Sequence, residues 1–157
     1  MHKLKFYPLG NADCTLIQLE NDRIILVDFA DMKDSEDDSD KRIALSEEIK
    51  DILNSLDRDY IDVVAITHLD DDHIKKFSEF FYMDHAKKYQ DEDRIKIKEL
   101  WVPAAIILEE GTSSGEGKVL RAEARHRLKG GNNILVFSKP ERLKDWLKKE
   151  GLSLKKR

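Results

Sequence analysis

The chain has a single cysteine, Cys14, in 157 residues. An intrachain disulfide framework and an all-cysteine metal site are therefore excluded. A reducing compartment is the expectation. No apolar run approaches the length needed to cross a membrane. The start, Met1-His2-Lys3-Leu4-Lys5, alternates like a strand and has no signal-peptide apolar region, so a cytoplasmic location is expected. Charge of one sign is lacking too: 28 basic and 32 acidic residues give a net charge of −4. No global basic excess announces nucleic acid, although a local basic groove stays open. What is present is 40% apolar and 38% charged residues, enough for one core beneath a heavily charged surface. One domain over 1–157 is expected.

Leu4 and Phe6 alternate with Lys3 and Lys5, which predicts a half-buried strand. Cys14 to Leu19 and Ile24 to Phe29, joined by Glu20-Asn21-Asp22, predict a hairpin whose return strand is buried on both faces. Residues 31–40 hold six acids and one base. They read as a mobile, solvated loop, without the glycine turn and terminal glutamate of an EF-hand. Leu45, Ile49, Ile52, Leu53 and Leu56 predict an amphipathic helix. Ile61 to Thr67 predicts a buried strand, and Ile74, Phe77 and Phe81 resume helical spacing. Ile95 to Val102 reads as a strand ended by Pro103. The Gly/Ser-rich 111–117 reads as a flexible loop. Leu120, Ala124 and Leu128 mark a helix stopping at Gly130-Gly131, and Ile134 to Phe137 reads as a short buried strand. Ser138-Lys139-Pro140-Glu141 looks like a capping box before a helix on Leu143, Trp146 and Leu147, ended by Gly151. The sum is an α/β layered domain.

The chemistry concentrates in Ile66-Thr67-His68-Leu69-Asp70-Asp71-Asp72-His73. Four candidate metal ligands, His68, Asp70, Asp72 and His73, follow a buried strand and precede a helix, where α/β sheets build their sites. Acids at a helix start also serve as caps and dipole partners. Capping does not explain two histidines bracketing them, so the spacing points to one or two divalent cations.

This stretch resembles the metallo-β-lactamase superfamily, whose usual signature is His-x-His-x-Asp-His after a buried strand. Here Asp70 stands in the second histidine position. The resulting His-x-Asp-x-Asp-His pattern is similar to that of ComEC-like metallo-hydrolase domains of DNA-uptake proteins. Gly10-Asn11-Ala12-Asp13-Cys14-Thr15-Leu16-Ile17 and Ile24-Ile25-Leu26-Val27-Asp28 resemble two further strands of that family, in the same order. Phe29-Ala30 stands where the family often has glycine.

The resemblance implies αββα layering, of which this chain would supply the first, N-terminal βα half. It implies that His68 and Asp70 hold one metal, while Asp72 and His73 hold a second or lie beside a vacant site. Asp72 would also orient the nucleophilic water, which makes it the candidate catalytic residue. Asp28 would orient a ligand histidine, or equally would be a strand-end acid bonding the loop backbone, and Asp13 has the same status. An aspartate in place of an imidazole shifts preference from zinc toward manganese or magnesium, with zinc still open.

The family completes its site with a histidine and an aspartate from its second half. The remaining histidines here are His2, His85 and His126, and no histidine follows His126. His85 reads as an exposed helix histidine. His126 lies on a basic helix face with Lys118, Arg121, Arg125 and Lys129, which reads as a solvated face or a phosphate contact. Two functional expectations follow. One is a metal-dependent hydrolase, phosphoesterase or nuclease-like, acting on nucleic acid or a nucleotide. The other is a non-catalytic half-domain that forms a homodimer or is completed by a partner chain.

Overall fold

The structure is a computed structural model that describes residues 1–109, 115–138 and 140–153. It is an α/β fold around a six-stranded mixed sheet in sequential order. Strand β1 (Lys3–Phe6) pairs antiparallel with β2 (Thr15–Gln18), which pairs antiparallel with β3 (Ile24–Val27). Strands β4 (Tyr60–Ala65), β5 (Lys96–Pro103) and β6 (Ile134–Phe137) then add in parallel. The expected hairpin is present, in register Thr15 to Val27.

Right-handed crossovers that always step in one direction leave their helices on one side of a sheet. Helix α1 (Leu45–Ser55) connects β3 to β4, and buries Leu45, Ile49 and Leu53. No side chain at Ala44 caps it. Asp31, expected in a solvated loop, is buried instead and reaches α1 from a distance. Its Oδ2 accepts from the Ser46 amide at 3.2 Å and the Ser46 hydroxyl at 2.6 Å. Residues 34–39 are exposed, as expected.

Between β4 and β5 the spacing of Ile74, Phe77 and Phe81 suggested one helix. The chain makes two single turns, α2 (Asp71–Ile74) and α3 (Phe77–Phe80). They are separated at Lys76, which is left-handed at φ 58°. Its ammonium is held by the Lys33 carbonyl at 2.9 Å. The apolar residues are still buried. Phe29, fully enclosed, stacks on Phe80 at 4.6 Å and meets Phe81 and Phe77 edge-on at 5.2 and 6.5 Å. A glycine there would leave that aromatic cluster without its centre.

Helix α4 (Ala104–Leu108) and helix α5 (Gly115–Gly130) lead to β6, and α6 (Pro140–Lys149) closes the described chain. Residues 111–114 of the expected flexible loop, and Lys139 of the expected capping box, lie outside the described residues. Gly115 to Gly117 already belong to α5. Gly131, at φ 71°, ends that helix with its amide on the Arg127 carbonyl.

Two strands differ from expectation. All four residues of β1 are exposed, and β6 is half open, because both are edge strands. Their register explains which side chains are left out. Leu4 faces Ile17, Phe6 faces Thr15, Ile17 faces Ile25, and Thr15 faces Val27. Ile25 and Val27 match Val63 and Ala65, which match Glu99 and Trp101, and Trp101 matches Leu135. Register-matched side chains share a face. Of these residues only Val63 is buried, while the next matched pair along β4 and β5, Ile61 and Ile97, is enclosed in the core. The opposite face carries Leu16, Leu26, Val64, Leu100 and Val102, all enclosed in the core. Lys5, on that opposite face, bonds Glu48 of α1 at 2.9 Å, which identifies the helix-covered side. The return strand β3 is therefore buried on one face and half-buried on the other.

Candidate metal centre

The carboxyl-terminal ends of β3 and β4 lie side by side, and the candidate residues leave from both. Asp28 follows β3 in a left-handed conformation at φ 56°, with its amide on the Ala65 carbonyl. An aspartate tolerates that conformation better than most residues, and such strain gathers at functional positions. Thr67 and His68 follow β4, and His73 sits in α2. The Phe29 amide on the His73 carbonyl at 2.9 Å ties the turn to the end of β3. The Asp13 amide on the Asp72 carbonyl at 3.1 Å ties it to the segment before β2.

Asp28 is buried and saturated. Its Oδ1 accepts from the Thr67 amide at 2.8 Å. Its Oδ2 accepts from the Thr67 hydroxyl at 2.7 Å and from His73 Nδ1 at 2.9 Å. The two alternatives for this residue thus hold together: it bonds the loop backbone and it orients a histidine. Proton bookkeeping follows from donor types. An ionised carboxylate only accepts, so His73 carries its proton on Nδ1. The Thr67 hydroxyl spends its proton on Asp28 and can only accept from His68 Nδ1, 3.0 Å away. In the neutral form of each imidazole, Nε2 is then the nitrogen left with a lone pair for a cation. Their rings lie 3.6 Å apart.

The structure brings three of the four expected ligands together. Ligand atoms of His68, Asp72 and His73 all lie within 4.8 Å of one another. Asp72 Oδ2 is 3.6 Å from His73 Nε2. The His73 side chain is 10% exposed and that of His68 48%, so the cluster has a rigid wall and an open mouth. Asp70 stands outside the cluster, with Oδ2 3.4 Å from His68 Nε2. Asp13 is exposed, and its Oδ2 is 3.9 Å from His73 Nε2. Cys14, close by in sequence, is buried, and burial pushes its thiol well above the ordinary range. That suits the expected small core residue.

Two groups outside this site differ from expectation. His85 lies in the loop between α3 and β5, not on an exposed helix face. Its Nδ1 and its amide both bond Glu123 Oε2, at 2.9 and 3.0 Å. Glu123 is fully buried and pairs with buried Arg127 at 2.6 Å. Burial raises its carboxyl, but the Arg127 and His85 bonds outweigh that and hold it below the ordinary range. The basic face of α5 is partly spent on structure. Arg121 bonds the Ile106 carbonyl and Arg125 the Ile107 carbonyl, which satisfies the end of α4, and Lys129 pairs with Glu150 at 2.6 Å. His126 is exposed on α5.

Sequence reasoning missed Thr67. The available signal was a hydroxyl residue between a buried strand and the first histidine, where it can bond both strand end and ring. No family model matches the chain, and no curated protein matches it. Among the described residues, no helix is long and apolar enough to cross a membrane.

Proposed function

We propose that His68, Asp72 and His73 hold a divalent cation and that the chain is a metal-dependent hydrolase of metallo-β-lactamase-like architecture. The observation that carries the reading is the pair of imidazoles tied back through Nδ1 to Asp28 and Thr67, with His73 Nε2 3.6 Å from the Asp72 carboxylate and ligand atoms of His68, Asp72 and His73 within 4.8 Å of one another. Metal-binding histidines are ordinarily fixed in this way, by a carboxylate on the far ring nitrogen. Two nitrogens and one oxygen suit zinc or manganese. Bound here, such an ion supplies Lewis acidity and an acidified water.

The chain's own residues would divide the remaining work. Asp28 and Thr67 hold the ring orientations. Asp72, half-exposed and at the mouth, binds the cation and can take a proton from an attacking water. Asp70 and Asp13, exposed on either side, offer oxygens for a second ion. An oxygen-rich mouth favours a phosphoester, in a nucleic acid or nucleotide, over an amide. A helical layer over one side of a sheet whose other face is open supports the αββα reading.

The test is manganese- or zinc-dependent hydrolysis of bis(p-nitrophenyl) phosphate, followed with metal content. Activity and stoichiometric metal, both lost in His68→Ala and Asp72→Ala, are expected. Metal content unchanged by both substitutions contradicts the site. Metal bound without hydrolysis keeps the site and rejects the reaction.

A further inference from the structure

We infer that the open face of the sheet is the contact surface of a homodimer, in which two copies pack sheet on sheet. The large apolar side chains exposed on the strands are Leu4 at 58%, Phe6 at 74%, Leu135 at 37% and Phe137 at 43%. Register places all four on the face opposite the enclosed Leu16, Leu26, Val64, Leu100 and Val102, two at each edge. Chance exposure would scatter them over both faces. With the half-buried residues between them they form an apolar strip across all six strands, to be set against the ~800 Å² per partner of a standard interface.

Three features single out a second copy as the occupant. Glu99 is the sole charged residue among the register-matched positions of this face, so no pattern of sign selects a partner of different charge. Two sheets of the same twist pack at about −30°, and identical copies share their twist. A patch that runs from edge to edge is also self-complementary about a two-fold axis. Val27 of this face directly precedes Asp28, and Ala65 lies two residues before Thr67. The contact would therefore end beside the cation cluster while not depending on any ion there.

The test is sedimentation equilibrium of the full chain in chelator, which separates this inference from the metal reading. A dimer with a dissociation constant of order micromolar is expected. The double substitution Phe6→Asp/Phe137→Asp should weaken it at least about tenfold, while Asp51→Lys on the exposed side of α1 should leave it unchanged. Should the double variant fail to fold, Leu4→Lys, on a strand exposed along its whole length, reads the same contact. Wild-type protein that stays monomeric at about 100 µM overturns the inference, as does a dimer that survives these substitutions or growth beyond dimer.

Discussion

Replacing Thr67 by valine removes one hydroxyl and keeps the shape of the side chain. That hydroxyl donates to Asp28 at 2.7 Å and accepts from His68 Nδ1 at 3.0 Å. Asp28 keeps its bonds to the Thr67 amide and to His73, so no buried carboxylate is orphaned. The stability cost should be that of one bond to a charged group, about 1–2 kcal/mol. The effect on His68 is different in kind. Its ring is half-exposed, so Nδ1 turns to water and the Nε2 orientation is no longer imposed. Cation affinity should fall about tenfold, the lower end of what losing such a supporting bond costs. Thr67→Ser restores the hydroxyl and should return affinity to within about twofold. Titration calorimetry with zinc and manganese measures the affinity, and urea denaturation measures the stability. A valine variant that binds as tightly as wild type, or a serine variant as weak as valine, refutes the proton bookkeeping.

Asp72→Asn should cost more than tenfold in cation affinity and Asp70→Asn less than about threefold, because only Asp72 lies in the cluster; the same calorimetry decides. Phe29→Ala empties the centre of the aromatic cluster and should destabilise the fold by about 3–5 kcal/mol, read by denaturant midpoint. Glu123 has its carboxyl held below the ordinary range in the folded state, so the unfolded chain binds its proton first on acidification. Its stabilising contribution is present above about pH 4 and is lost as pH falls through the lower folded value. Glu123→Gln should flatten that part of the stability profile. Arg127→Met leaves Glu123 buried without its cation and should cost about 3–5 kcal/mol, checked by thermal unfolding.

The fold was legible where local pattern decides it. Ile61 to Thr67 is apolar because β4 sits between β3 and β5, and the helical stripe of α1 points at the core. What pattern could not show is which face of a short apolar run meets a helix. Ile134 to Phe137 reads as buried throughout, yet register sends Leu135 and Phe137 to the open face. The same holds for Leu4 and Phe6. The break at Lys76 was hidden because Ile74, Phe77 and Phe81 keep helical spacing across two separate turns. Contacts distant in sequence were also out of reach: Asp31 on Ser46, and His85 on Glu123, join residues that nothing local links. At the site, His68, Asp72 and His73 stood out as residue types crowded after a strand. The contribution of Thr67, and the separation of Asp70 from the cluster, depend on how the turn folds.

The central claim is that this turn directs two imidazole Nε2 atoms and the Asp72 carboxylate at one cation. Crystals soaked in zinc or manganese, mapped by anomalous scattering at the metal edge, test it directly. A peak about 2.0–2.2 Å from His68 Nε2, His73 Nε2 and an Asp72 oxygen is the predicted result. A map with no peak there, or with its peaks only along the acidic loop 31–40, contradicts it.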